Sequence, residues 1–352
     1  MIRLLIAASG TGGHLFPALA LAEHLPDYHI EWLGVRNRLE QTLVTTHYPL
    51  HLIDVEGFQN RNPIKIIKVL FRLIKAVFQV KKIIKEHKID MVFTTGGYIA
   101  APAILAARLS GIKAIIHESN FIPGKVTRLL SRVCDGVALG FKETAQYLPN
   151  SETIWVSTPV RSQFYTPQLL DLPIPDNVPL IVVVGGSQGA VPINNLVRKC
   201  ANSWLSEGAY IVHLTGTNDP NTQSLQHPYY LPLHFYDNMA GLLQRANLAV
   251  SRAGAGILTE LAITKTPAIL IPYPFAAENH QVYNAQIIGK AGAALVYHQE
   301  ELTTEILKNS VLKLLRDCDE LQKMANKTES LAVFNSAQQL AKMIEQMMIP
   351  RI

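Results

Sequence analysis

Ile2-Arg-Leu-Leu-Ile-Ala-Ala-Ser-Gly-Thr-Gly-Gly-His-Leu-Phe-Pro17 is a short apolar run that breaks at a glycine-rich turn and leads into a second apolar stretch. This is the signature of a buried parallel strand feeding a helix, because a strand covered on both faces is continuously apolar rather than alternating. The pattern recurs. Ile30–Gly34, Met91–Thr95, Ala114–His117 and Gly136–Leu139 read as further strands, with Pro17–Leu25 and Ala101–Leu109 among the helices between them. It restarts after Ser157 with Leu180–Val184, Tyr210–Leu214, Leu248–Ser251, Ala268–Ile271 and Ala294–Val296. Two βαβ series predict an α/β chain of two doubly wound, Rossmann-like parallel-sheet domains, residues 1–157 and 158–335. Thr158–Pro179, with five prolines, reads as the linker, and Ser330–Met348 as an amphipathic helix. Ligands of such sheets bind beyond the carboxyl ends of the strands, which directs attention to a cleft between the domains.

The 352-residue length suits two domains, and 48% hydrophobic against 17% charged residues excludes a disordered chain. Three scattered cysteines exclude a disulfide framework and a CxxC metal knuckle, and fit a reducing cytosol. The first apolar run is too short for a secretory signal, and no stretch of about 18 apolar residues predicts a membrane span. Charge is concentrated. Ile64–Lys88 holds eight basic residues against Glu86 alone, a segment net of +7 against +5 for the chain, so the remainder is net −2. A basic patch this local argues against a nucleic-acid surface. Lys65, Lys68, Arg72 and Lys75 fall on one helical arc beside a broad apolar face, which suits either an anionic membrane surface or a crossover helix with a solvated edge.

Four glycine clusters follow strands: Gly10-Thr-Gly-Gly-His14, Thr95-Gly-Gly-Tyr98, Gly185-Gly-Ser-Gln-Gly189 and Arg252-Ala-Gly-Ala-Gly256. Glycine lets backbone approach a ligand, and a following helix N-terminus offers N–H groups to phosphate. None spells G-x-G-x-x-G or a Walker P-loop, and there is no G-x-S-x-G elbow or H-E-x-x-H pair. A sugar nucleotide is therefore preferred to NAD or ATP. Asp317-Cys-Asp319 spells DxD but lies away from every glycine loop and reads as surface, so neither a metal site nor a cofactor is expected.

Taken in order, Gly10-Thr-Gly-Gly-His-Leu-Phe-Pro17, Thr95-Gly-Gly-Tyr98, His117-Glu-Ser-Asn120, Pro159-Val-Arg161, Gly185-Gly-Ser-Gln-Gly-Ala190, Arg252-Ala-Gly-Ala-Gly256 with Glu260, and Gln281 with Asn284 resemble the MurG family of bacterial peptidoglycan N-acetylglucosaminyltransferases, which have a GT-B fold. The resemblance runs from Met1 to about Ala294. It implies inverting transfer of GlcNAc from UDP-GlcNAc to the 4-hydroxyl of undecaprenyl-pyrophosphoryl-MurNAc-pentapeptide. It implies an N-terminal domain for the lipid acceptor, a C-terminal domain for UDP-GlcNAc, and a last helix, about 336–352, crossing back to the first domain. Such an enzyme would sit peripherally on the cytoplasmic face of the inner membrane, and Ile64–Lys88 would face anionic lipid.

Within that resemblance His14 and Glu118 compete for the role of general base, and the residues alone leave the choice open. Tyr98 and Asn120, with His14, are expected on the acceptor. Thr11, Gly12, Gly13, Arg161, Ser187, Gln188, Gly189, Glu260, His280, Gln281 and Asn284 are expected on the donor, Glu260 accepting from the ribose hydroxyls. Two positions depart from the family: Ser119 where glutamine is common, and Ser157-Thr158 where Gly-Asn is common. Other readings are a GT-B transferase with a different lipid acceptor such as diacylglycerol, a UDP-GlcNAc epimerase needing no membrane helix, and a catalytically idle sugar-nucleotide-binding subunit.

Overall fold

The computed structural model describes residues 1–56 and 63–349, with the side chains of 63–66 excepted. The Lys65 side chain and the last three residues of the expected C-terminal helix thus lie outside what is described. The chain divides into two units, Met1–Arg161 with Asn335–Ile352, and Ser162–Phe334.

The first unit runs β1 (Arg3–Ala7), α1 (Gly12–Ala22), β2 (His29–Val35), α2 (Glu40–Leu43), β3 (Leu50–Ile53), α3 (Pro63–Glu86), β4 (Met91–Thr94), α4 (Ala100–Leu109), β5 (Lys113–Glu118), α5 (Lys125–Leu130), β6 (Gly136–Leu139) and β7 (Thr153–Trp155). The strands form one parallel sheet in the order β3-β2-β1-β4-β5-β6-β7. The second unit runs β8 (Leu180–Val184), α6 (Val191–Leu205), β9 (Tyr210–Leu214), β10 (Tyr230–Leu233), α7 (Met239–Arg245), β11 (Leu248–Ser251), α8 (Ala255–Ile263), β12 (Ala268–Leu270), α9 (His280–Lys290), β13 (Ala294–Val296), α10 (Thr304–Arg316) and α11 (Cys318–Glu329), its sheet ordered β10-β9-β8-β11-β12-β13. The final helix, α12 (Ser336–Met348), belongs to the first unit.

All ten expected strands form, and three more appear: β3, β7 and β10. Each of the three is an edge strand. Leu-His-Leu-Ile, Thr-Ile-Trp and Tyr-Leu-Pro-Leu carry polar residues or a proline that a central strand would exclude, so the search for unbroken apolar runs passes over them. Helix α1 starts at Gly12, five residues before the expected Pro17, so the glycine turn itself forms the first helical turn. Pro17 lies inside it and cannot donate to the Gly13 carbonyl.

Thr158–Pro179 contains little regular structure beyond a 3₁₀ turn at Ser162–Phe164, but from residue 162 onward it is not a loose tether. Arg245 Nη2 on α7 donates to the carbonyls of Pro175, Asp176 and Val178, and Phe164 is buried. Proline content excluded a helix there. It did not report this side-chain anchoring.

Helix α12 inserts Leu340, Ala341, Met343 and Ile344 into the same buried cluster as Leu4, Ile6, Leu15 and Phe93. At about 1.5–3 kcal/mol for each large side chain, this burial is a substantial part of the first unit's stability. Gly136 opens β6 under this helix, and a Cβ there would meet Met347 Cε at 2.3 Å and Met343 Cε at 2.6 Å.

Helix α3 divides its apolar residues. Ala76, Val77, Val80 and Ile84 join the core with Leu5, Leu33 and Ile53. Ile67, Phe71 and Phe78 remain 67%, 68% and 63% exposed, joined by Leu70 and Ile74 along the same stripe.

Candidate active site

In the first unit, the loop after β1 carries Thr11 as N-cap of α1, followed by Gly12 and Gly13, with His14 in the first turn. His14 Nδ1 lies 2.8 Å from the Thr95 carbonyl. A carbonyl only accepts, so Nδ1 bears the proton and Nε2 presents its lone pair. The Thr95-Gly-Gly turn lies over that ring. Gly96 and Gly97 have φ of +90° and +73°, and a Cβ on Gly97 would stand 3.5 Å from His14 Nε2. The left-handed backbone is what favours glycine at both positions, since a Cβ would make only ordinary van der Waals contact with the ring.

Glu118 closes β5 and is buried. Its Oε1 accepts from the backbone N–H of Asn120 at 3.0 Å and from Asn120 Nδ2 at 3.2 Å. Its Oε2 accepts from the N–H of Gly124 at 3.0 Å and from Thr127 Oγ1 at 2.7 Å. Four donors on two oxygens make this carboxylate the clamp of the loop before α5. A Cβ at Gly96 would come within 3.9 Å of both His14 and Thr127, so His14 and the hydroxyl that Glu118 holds border the same turn. Tyr98, just beyond it, is half exposed.

The two departures from the family pattern meet at His117. This fully buried imidazole donates from Nε2 to the Ser157 carbonyl at 2.9 Å, and its Nδ1 accepts from Ser119 Oγ at 3.2 Å. Burial pulls its pKa below the usual histidine range, against the pull of the Ser157 bond and the Glu118 charge. Ser157 sits at φ +66°, a conformation that glycine, the family's common residue, adopts without strain. Arg161 stacks its guanidinium 4.1 Å from the centre of the Phe16 ring on α1.

Sequence reasoning missed Glu40. This fully buried carboxylate accepts from Ser9 Oγ at 2.5 Å, the Gly10 N–H at 3.2 Å and the Val35 N–H at 2.8 Å, so it holds the first glycine loop to the end of β2. A lone glutamate on a four-residue helix carries no periodic signal.

In the second unit, Gly185–Gly189 links β8 to α6. Ser187 and Gln188 are exposed at its tip, and Gly189 has φ +85°. A Cβ on Gly189 would lie 2.2 Å from the Thr215 carbonyl, so the turn after β9 interlocks with the loop. Behind that contact lies a buried polar network. Asn194 Nδ2 donates to the Thr215 carbonyl at 2.8 Å and to Asp219 Oδ2 at 2.6 Å, and Arg198 Nη1 donates to Asp219 Oδ2 at 2.8 Å. His213 lies between Tyr230, 2.7 Å from Nδ1, and Asn194 Oδ1, 3.1 Å from Nε2. Burial, aided by the Arg198 charge, pushes the His213 pKa down to about 3.

His213 gives a pH prediction with a definite sign. The folded state refuses a proton that the unfolded chain binds below about pH 6.5, so stability is lost as pH falls from there toward 3. The expected loss from this residue is about 1.5–2 kcal/mol between pH 6.5 and 5. Urea unfolding across that range should give a shallower pH slope in His213→Gln than in wild type; equal slopes would refute the assignment.

The second glycine loop of this unit opens α8, whose N-cap is Gly254, and Glu260 lies in the helix's second turn, partly exposed. Gln281 Oε1 accepts from the N–H groups of Ala253 and Tyr273, and buried Asn284 donates to the Ala253 carbonyl. These bonds place both residues as supports of the loop. His280 Nδ1 donates to the Ala277 carbonyl, directly after Glu278 and Asn279, both at φ +54°. Two consecutive left-handed non-glycine residues mark a backbone held under strain. Asp317 caps α11 through the Glu320 N–H, which accounts for half of the DxD.

The chain matches the glycosyltransferase family 28 N-terminal domain over residues 4–139 and its C-terminal domain over 180–346. It is 71% identical over 344 residues to the UDP-N-acetylglucosamine–N-acetylmuramyl-(pentapeptide) pyrophosphoryl-undecaprenol N-acetylglucosamine transferase of Rippkaea orientalis, covering 98% of both chains. The Synechocystis protein of the same name is 62% identical, with 97% of each covered. The chain belongs to this transferase family. The crystal structure of Acinetobacter baumannii MurG superposes with a TM-score of 0.77 at 30% identity, covering 98% of this chain and 100% of that one. The calicheamicin glycosyltransferase CalG4, at 15% identity and a TM-score of 0.69 over 98% of both chains, shares the fold. The GT-B architecture and the glycosyltransferase class implied by the resemblance thus stand, and membership carries the family's place in peptidoglycan synthesis.

Proposed function

We infer that the chain transfers GlcNAc from UDP-GlcNAc to the 4-hydroxyl of undecaprenyl-pyrophosphoryl-MurNAc-pentapeptide with inversion. The observation that carries the mechanism is the His14–Thr95 hydrogen bond, which fixes the tautomer with Nε2 as acceptor. His14 Nε2 takes the proton from the acceptor hydroxyl as its oxygen attacks the anomeric carbon. The bond from that carbon to the UDP oxygen breaks, and the departing charge falls on the diphosphate. Exposed Ser187 and Gln188, the Gly185–Gly189 amides and the N-terminus of α6 are suited to that diphosphate. Arg161 adds a guanidinium fork. Glu260 suits the ribose hydroxyls, and Thr11, Gly12, Gly13 and His280 complete the donor set. Glu118 is better read as positioning Asn120 and the loop after β5 than as the base, because four donors already occupy its oxygens. Tyr98 and Asn120 are left to meet the acceptor.

Acceptor-dependent UDP release, with GlcNAc recovered on the muramyl-pentapeptide lipid, tests the reaction. Release that ignores this lipid would overturn it, and diacylglycerol would be the next acceptor to assay.

Membrane docking at the cytoplasmic face belongs to the same reading. Among the described residues no helix is long and apolar enough to cross a bilayer. The exposed stripe Ile67, Leu70, Phe71, Ile74 and Phe78, flanked by exposed Lys68, Arg72 and Lys75, fits an interfacial helix on anionic lipid, a feature an epimerase would not need. At about 1 kcal/mol per basic residue, converting Lys68, Arg72 and Lys75 to glutamine should weaken binding to phosphatidylglycerol-containing vesicles roughly 10²-fold at low salt. Unchanged sedimentation with vesicles would leave α3 a simple crossover helix.

A further inference from the structure

We propose that Glu31, His51 and His87, with His29 hydrogen-bonded to the far oxygen of the same carboxylate, form a three-residue binding site for a divalent transition-metal ion of the zinc class. The sequence reading expected no metal site, and these four residues are spread over 59 positions of the chain. Folding gathers them. His51 Nε2 lies 2.6 Å and His87 Nδ1 2.9 Å from Glu31 Oε2, and His29 Nε2 lies 3.2 Å from Glu31 Oε1. One ligand atom from each of Glu31, His51 and His87 falls within 4.8 Å of the other two.

Register explains the convergence. His29 and Glu31 are two apart on β2 and so share a face of the sheet, and β3 pairs Leu33 with His51, placing His51 on that face too. It is the face α3 covers, since Leu33 and Ile53 share a core cluster with Val80 and Ile84. His87 follows the last residue of α3, where the chain turns through Lys88 at φ +51° and Ile89 donates back to the Ile84 carbonyl. Arg3 Nη1 also donates to the His87 carbonyl. The third imidazole is therefore delivered by a fixed helix end rather than a loose loop.

The donor set selects the ion. Imidazole nitrogens with one carboxylate oxygen suit zinc and its transition-metal neighbours, whereas magnesium and calcium prefer oxygen. Tetrahedral zinc at about 2.0–2.1 Å from nitrogen separates its ligands by roughly 3.3 Å, a spacing that falls within the 4.8 Å span of the three ligand atoms. Glu31 is 2% exposed, while the histidines are 19–39% exposed, so the carboxylate is shielded and an entry path is open. On binding, each imidazole would turn a lone pair to the ion and carry its proton on the other ring nitrogen. The bound ion would pin the end of α3 to β2 and β3, a structural role separate from sugar transfer.

The test uses untagged full-length protein, stripped with chelator, incubated with zinc chloride and dialysed against metal-free buffer. Elemental analysis should find about one zinc per chain. Zinc should raise Tm reversibly to chelator, and cobalt(II) should give the visible ligand-field bands of a tetrahedral site. The His51→Gln/His87→Gln double variant should lose at least the roughly 10–100-fold in affinity that even an outer-shell partner contributes. Magnesium should not substitute. Wild-type protein that retains no zinc and shows no zinc-dependent Tm shift would overturn the proposal. So would a folded double variant that binds zinc as tightly as wild type.

Discussion

Alanine in place of His14 should lower kcat by about 10²–10⁴-fold, the span that one positioned general base supplies. With the base role proposed for His14, the KM for UDP-GlcNAc should change little, since that role concerns the acceptor's proton. The Thr95 carbonyl makes the expectation specific. It holds the proton on Nδ1, so a replacement must offer a neutral acceptor where Nε2 stands. His14→Gln fills similar space but brings no comparable base, and should be nearly as slow as alanine. A steady-state series on wild type, His14→Ala, His14→Gln and Glu118→Gln decides between the two candidates. If Glu118→Gln abolished kcat with donor KM intact while His14→Ala did not, the base assignment would reverse.

Asp219→Ala should cost about 3–5 kcal/mol, because it leaves the Arg198 guanidinium buried without its carboxylate. The pair is well enclosed, with side-chain exposures of 8% for Arg198 and 0% for Asp219. Such a loss is a large share of the 5–15 kcal/mol typical of a folded domain. The damage should also reach the Gly185–Gly189 loop, proposed above to hold the donor diphosphate. Asp219 holds Asn194, Asn194 holds the Thr215 carbonyl, and that carbonyl lies against Gly189. Urea unfolding should show a lower midpoint, and calorimetry with UDP should show weaker binding even where the variant remains folded. A stable variant with normal UDP affinity would separate the network from the loop.

Central strands were legible because β1, β4, β8 and β11 are unbroken apolar runs that only a doubly covered sheet can use. The glycine loops were legible because a strand ending in several glycines has few other uses. What escaped was long-range and polar. Glu40, Asp219 and Glu31 are buried carboxylates whose partners lie elsewhere in the chain, and a lone acid resembles a surface residue until the fold assembles its donors. Gln281 and Asn284 were noticed as a pair, but their bonds to the Ala253 backbone depend on α9 returning to the loop after β11. Ser119 and Ser157 looked like unrelated departures. Both adjoin His117, Ser119 through its hydroxyl and Ser157 through a backbone carbonyl that any residue would offer, a meeting visible only in the folded chain.

The insertion of α12 into the first unit constrains the order of synthesis. A ribosome completes β1 through β7 and then the whole of the second unit before it makes Leu340, Met343 and Ile344. Throughout that interval the nascent first unit carries an uncovered apolar seam around Leu4, Ile6 and Phe93, the kind of surface that chaperones guard. A stop codon ahead of residue 336 therefore strands an unfinished amino-terminal half rather than trimming a dispensable tail.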